Sequence, residues 1–283
     1  MGCLGSFKDG GLVMLGLKLE SATDSFDLES VRNTGSGVQV LSGVTGLGLP
    51  PIDGHWKEGA GNGSTFRGRR VLAREIDLPL LVQGTNRADL VSLMSRLTIM
   101  LSGAMTLRLT GEATESDWTL PVYRIGGGSY NYGQDTNGER EVSFVVTLRA
   151  GDPFFTSAQA VTKVINSAGP NVYGDTALVN TGDADATPTW TITGPATKAR
   201  LVSAKGEVLE WNGTLAAAET IVINVKAGTV VNSIGANKYS QLATAPRFWK
   251  ILPGTTTANC TLTGGTSASS ISVSWKPQKW TVI

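Results

Sequence analysis

The chain has 283 residues, with 24 Lys+Arg against 23 Asp+Glu and a net charge of +1, so charge alone nominates neither a nucleic acid nor a membrane surface as partner. Hydrophobic residues make up 41% and charged residues only 17%, which is enough to bury a core and excludes wholesale disorder. The length allows two domains or one large β architecture. The 35 glycines, with recurrent Val and Thr, suit short strands joined by many turns.

Two cysteines, Cys3 and Cys260, are too few for a disulfide framework and lack metal-site spacing, so unpaired thiols, no metal and no cofactor are expected. The opening MGCLGSFKDGG lacks the apolar core of a signal peptide, and Ser6 alone supports a lipidation reading of Met1-Gly2-Cys3. No apolar run reaches the roughly 18 residues of a membrane span. Residues 1–154 hold 14 Lys+Arg and 17 Asp+Glu, whereas 155–283 hold 10 and 6. That shift places a boundary near residue 155.

In chain order, Gly11–Glu20 and Gly37–Leu41 read as opening strands. Between Gly43 and Arg70, Pro50-Pro51 and the Gly59–Gly63 run argue against regular structure for most of the passage. In Arg74–Gln83, Ile76, Leu78, Leu80 and Val82 alternate onto one face, and Pro79 argues for an edge strand or a bulge. Thr85–Gly103 is the one expected helix. Leu90, Leu93, Met94, Leu97 and Leu101 form its stripe, Thr85 or Asn86 caps it, and Gly103 ends it. Met105–Thr110 is a strand, and Trp118–Ile125 with Glu141–Arg149 reads as a hairpin around a long polar tip, Gly126–Arg140. Asp152-Pro153-Phe154-Phe155 closes this part.

Residues 156–175 read as a polar linker with one extended segment, AVTKVIN. Beyond it, short alternating runs recur: TALVN, TWTIT, ARLVS, EVLEW, TIVINV, TVVNS, FWKIL, ANCTLT and SISVSW. About nine strands without helical period imply a two-sheet sandwich or jelly roll. The expected organisation is a domain over 1–155, a linker over 156–175 and a second β domain over 176–283.

No catalytic constellation stands out. His55, the sole histidine, has no nucleophile beside it. The carboxylates Glu112, Glu115 and Asp117, or Asp183 and Asp185, would be needed for glycan hydrolysis, but both sets fall in turns. Gly59–Ser64 lacks the Lys-Ser/Thr ending of a phosphate loop. The sharpest cluster is Arg67, Arg69, Arg70 and Arg74, read as a solvated strand entry, as a contact for an acidic surface on a neighbouring subunit, which the planar guanidinium suits, or, least favoured, as a DNA contact, where each phosphate neutralised adds salt-dependent affinity. Five of the seven tryptophans follow residue 186. Trp190 and Trp275 sit mid-strand as core residues, and Trp211 and Trp249, near turns, are the candidate saccharide contacts.

Several motifs occur together in order: Gly46-Leu47-Gly48-Leu49-Pro50, Gly68-Arg69-Arg70, the single helix, Gly151-Asp152-Pro153-Phe154, Asn180-Thr181-Gly182-Asp183, Pro188–Pro195, Trp211-Asn212-Gly213, Leu252-Pro253-Gly254 and Val273-Ser274-Trp275. The set resembles the distal tail proteins of long-tailed phages. That resemblance implies a mainly β fold, with an N-terminal split β-barrel or sandwich bearing one helix and a C-terminal galectin-like jelly-roll sandwich. It further implies a non-enzymatic homohexameric ring at the distal end of the virion tail, synthesised in the bacterial host cytoplasm. The implied partners are the tail tube, tape-measure, hub and receptor-binding proteins. DNA would pass through the lumen without specific binding, and no part would enter a membrane. The alternative is a carbohydrate-binding adhesin contacting the host cell surface.

Overall fold

A computed structural model describes residues 16–110, 117–130, 140–166 and 171–282. Cys3, Glu112, Glu115 and most of the 126–140 tip lie outside that set. The chain divides into two units, Met1–Pro153 with Thr281–Ile283, and Phe154–Trp280.

The first unit contains β1 (Gly16–Glu20), β2 (Ser25–Asp27), α1 (Ser30–Thr34), β3 (Gly37–Val40), β4 (Ile52–Glu58), β5 (Ser64–Val71), β6 (Arg74–Gln83), α2 (Arg87–Leu101), β7 (Met105–Thr110), β8 (Trp118–Gly127) and β9 (Glu141–Ala150). Seven of these strands form one antiparallel sheet in the order β2-β1-β7-β8-β9-β6-β3. Its ends meet: the Val40 N–H donates to the Leu28 carbonyl at 2.6 Å, and Glu29 bridges Gln39. The sheet therefore curls into a nearly closed barrel. Alternation dictates its interior. Ile76, Leu78, Leu80, Val82, Leu107, Leu109, Val146 and Leu148 are all fully buried, with polar partners on the other face.

The hairpin expected around the polar tip is present as β8 and β9, which pair antiparallel. Helix α2 is capped by the Asn86 side chain, which accepts from the Asp89 N–H at 3.0 Å. It buries Leu90, Leu93, Leu97, Met100 and Leu101; Met94, expected in the stripe, is half-buried and Met100 takes the inner position. The cap at the far end is Ser102, one residue before the expected Gly103. The five-residue α1 was not anticipated. It buries no residue and so leaves no apolar period in the sequence.

Two expectations for this unit are corrected. Pro79 is neither on an edge strand nor at a bulge: β6 lies between β9 and β3. Its carbonyl accepts from the Leu41 N–H at 2.8 Å, just past the end of β3, so the donor that proline lacks faces a place where the ladder has stopped. The Gly43–Arg70 passage is not mostly irregular either. Residues 52–58 and 64–71 pair as the antiparallel hairpin β4–β5, and only the Gly59–Gly63 run, a series of bends, joins them without regular structure.

The second unit contains β10 (Phe155–Ser157), β11 (Val161–Asn166), β12 (Asn171–Asn180), β13 (Thr189–Thr193), β14 (Ala196–Val202), β15 (Val208–Leu215), β16 (Thr220–Asn224), β17 (Thr229–Asn232), β18 (Gly254–Thr263), β19 (Ser270–Trp275) and β20 (Gln278–Lys279). Sheets β11-β19-β13-β16-β17 and β12-β18-β14-β15 enclose one core that includes Trp190, Trp211, Trp249 and Trp275. This is a two-sheet sandwich. Within residues 156–175, the extended segment expected at AVTKVIN is β11, which pairs along its whole length with β19 and so belongs to the sandwich. The run FWKIL is not a strand. Only Ile251 makes a bridge, to Ala186, while Trp249 and Ile251 plug the core; flanking Pro246 and Pro253 limit ladder pairing there.

The Asn180–Asp183 turn has a structural explanation. Buried Asn180 donates through Nδ2 to the Ala184 carbonyl at 2.9 Å and the Ile251 carbonyl at 3.2 Å, and its Oδ1 accepts from the Gly182 N–H at 3.0 Å. A Cβ on Gly182 would lie 2.0 Å from the Gln278 carbonyl oxygen, so only glycine fits.

Candidate assembly surface

The β4–β5 hairpin is an arm on the first unit. Its strands pair with each other in a separate two-stranded sheet, and nearly all of its residues are exposed. Direct cross-strand pairs share a face. The pairs Ile52↔Val71, Gly54↔Arg69 and Trp56↔Phe66 therefore put an apolar, aromatic stripe with Arg69 on one side. Trp56 and Phe66 meet edge to face with centroids 5.1 Å apart, although they are 62% and 49% exposed. Gly54 leaves room for the indole: a Cβ there would lie 3.2 Å from Trp56 Nε1. The opposite face carries His55 and Arg70, with Arg70 Nε 3.4 Å from Asp53 Oδ2. The register shift beside His55 marks Arg67 as the extra residue of a bulge.

The arginine cluster is thus divided. Arg67, Arg69 and Arg70 are exposed on the arm, but Arg74 is only 1% exposed and cannot meet a neighbouring subunit. Its Nε donates to the Pro153 carbonyl at 3.0 Å, and Nη1 donates to the carbonyls of Gly46, at 2.7 Å, and Gly48. Burial pulls its pKa below the ordinary arginine value, and the carbonyl dipoles help to compensate the charge. Sequence reasoning missed this role. The signal was the Gly46–Pro50 and Gly151–Phe154 motifs themselves, whose carbonyls converge on one guanidinium.

The tryptophans proposed as saccharide contacts are core residues. Trp211 is 1% and Trp249 4% exposed. Trp211 donates through Nε1 to Gln241 Oε1 at 3.0 Å. Trp249 donates to the Leu201 carbonyl at 3.2 Å and packs edge to face on Trp190 at 5.2 Å. Proximity to a turn in sequence did not mean exposure, because both indoles turn inward between the sheets.

The carboxylates considered for hydrolysis have other engagements. Asp117 pairs with Arg108 at 3.2 Å, and Asp183 Oδ1 accepts from the Trp280 N–H at 2.7 Å. Among the described residues no group of three His, Cys, Asp or Glu is arranged to hold a metal, and no helix is long and apolar enough to cross a membrane.

A second apolar surface on the first unit is a groove of about 710 Å³ between α2 and the β8–β9 pair, where Val91, Ile99 and Tyr130 are 54%, 70% and 50% exposed. Exposed apolar area of this kind marks interaction surfaces.

Residues 181–280 match the family described as siphovirus-type tail component, C-terminal domain. Among solved structures, the SPP1 Dit (gp 19.1) protein, described as a paradigm of hub adsorption apparatus in phages infecting Gram-positive hosts, aligns with a TM-score of 0.67 and 16% identity over 93% of this chain and 98% of its own. A chain of the phage P2 baseplate in its activated conformation with Ca aligns with a TM-score of 0.51 and 12% identity over 95% of this chain and 100% of its own. No curated protein matches the chain in sequence. At these identities the two structures speak for the fold. Residues 181–280 thus resemble the siphovirus-type tail component C-terminal domain, and the chain as a whole is Dit-like in fold.

Proposed function

We propose that the chain is a structural component of a phage tail tip that works by self-assembly, copy against copy, into a closed ring, six copies in the family arrangement it resembles. The observation that carries this reading is the arm. A two-stranded hairpin is marginal in water by itself, and this one exposes an aromatic pair beside Arg67, Arg69 and Arg70. Residues 52–71 hold four Lys+Arg against two Asp+Glu, whereas the rest of residues 1–153 holds ten against fifteen. A basic arm on an acidic body favours insertion of one copy's arm against the next copy's body. Such a heterologous contact closes into a ring when the rotation closes. The match of residues 181–280 to a siphovirus-type tail component domain supports a tail setting for this assembly.

In this reading the ring sits at the distal end of the virion tail and joins the tail tube to the tape-measure, hub and receptor-binding proteins. DNA passes through its lumen without specific contacts, and the protein does no bond-making chemistry. Light scattering with negative-stain electron microscopy of the full chain tests it. Rings are the expected result; a chain that stays monomeric at high concentration and shows no ring overturns the reading.

A further inference from the structure

On the second unit the turn between β14 and β15 stands between two surface hollows. One, of about 620 Å³, is walled by Arg200, Lys205 and Arg247. The other, of about 300 Å³, is walled by Asp185, Phe248, Lys250 and Thr256, and Lys205 and Glu207 line both. The charges are unevenly satisfied. Glu210 is held by Lys198 at 2.9 Å and Arg200 at 3.6 Å. Lys205, Arg247 and Lys250 are exposed, and among the described residues none of them has a carboxylate partner within salt-bridge distance. The Thr256 hydroxyl is buried without a hydrogen-bond partner, an unmet need that a native interior seldom leaves. Phe248, stacked on Tyr239, adds a ring to the same wall.

The mixture of charges selects the ligand class. Uncompensated cations attract anions. Asp185 and Glu207 would repel a bare polyanion, yet carboxylates are acceptors for hydroxyl donors. A molecule with both anionic groups and many hydroxyls satisfies the whole lining. The geometry points to a binding site for an anionic saccharide, a sugar chain bearing carboxylate or phosphate, lying across the β14–β15 turn and entering both hollows. Trp249, itself buried, also lines the smaller hollow, Trp211 lines neither hollow, and the site does not depend on ring formation.

Titration calorimetry of the full chain tests it with four probes: tetragalacturonate, a mannose-6-phosphate oligosaccharide, the neutral oligomannose and inorganic polyphosphate. At least one acidic sugar binds, and the neutral sugar and polyphosphate bind at least about tenfold more weakly. The double variant Lys205→Ala/Arg247→Ala loses about tenfold or more in affinity for the acidic sugar, while its circular dichroism and state of association stay those of the parent. Absence of binding to both acidic sugars, polyphosphate binding as tight as theirs, or an unchanged affinity in the double variant overturns the site. The unchanged association state of that variant keeps this outcome distinct from a failure of the ring.

Discussion

The guanidinium of Arg74 donates to the Gly46 carbonyl at 2.7 Å, tying the loop after β3 to the first residue of β6. The same side chain reaches the Pro153 carbonyl, so a single buried cation holds two distant segments of the first unit. Replacement by alanine strands those carbonyls without a donor, at about 1–3 kcal/mol for each buried group left unsatisfied. Arg74→Ala is therefore expected to lower first-unit stability by about 3 kcal/mol or more, with Arg74→Lys intermediate because an ammonium lacks the planar fork. Chemical denaturation followed by hydrogen exchange in residues 44–50 and 150–153 checks this. Gly46→Ala should act in the same direction, since Gly46 has φ +82° and a Cβ would lie 1.9 Å from the Glu75 carbonyl oxygen.

Substitutions on the arm should separate assembly from folding. Trp56 and Phe66 are exposed, so Trp56→Ala/Phe66→Ala removes little buried area within one copy. The unfolding midpoint should move by less than about 1 kcal/mol, whereas self-association measured by light scattering falls by tenfold or more, on the order of 1.4 kcal/mol. Arg69→Glu should weaken association and flatten its salt dependence.

The buried indoles predict the opposite pattern. Trp211→Ala or Trp249→Ala empties part of the sandwich core and should cost about 3–5 kcal/mol, read as a drop in the thermal midpoint of the second unit. Gly213→Ala should destabilise as well, because a Cβ there would lie 2.5 Å from the Trp211 ring.

Glu210 gives a pH signature. Partial burial would raise its pKa, but hydrogen bonds from Lys198 and Asn212 and the charges of Lys198 and Arg200 outweigh that and hold the carboxyl below its usual value. A group whose pKa is depressed on folding contributes stability above its unfolded pKa, about 4.3 for glutamate, and loses it as pH falls through the folded value. The thermal midpoints of the parent and Glu210→Gln should differ at neutral pH and converge in acid. A constant difference across that range would contradict the assignment.

Cys260 faces the core of the sandwich, fully buried, and burial pushes its thiol up to about 12. The thiolate is the reactive form, so iodoacetamide at pH 8 should leave native Cys260 unmodified and label it in denaturant, as mass spectrometry of the peptide would show.

The elements most legible in the sequence were those whose periodicity reflects a single buried face. Ile76 to Val82, Val142 to Leu148 and the α2 stripe alternate or repeat because each lies on one core. The arm was misread because neither of its faces is buried by its own chain, so no alternation marks it and its glycines dominated. The arginine cluster was legible as a group, but not that Arg74 departs from it. Positions 70 and 74 are close in sequence, and only the curl of β6 into the barrel turns one outward and the other inward.

Composition and local pattern by themselves determined that this chain is built of strands with one principal helix, in two halves of different charge. Those are properties of side chains and of the residues next to them. Which tryptophans are hidden, which arginine is a strut and which cations lack counter-ions were decided by tertiary structure. Burial and charge pairing arise from residues far apart in the chain, brought together when the barrel and the sandwich close.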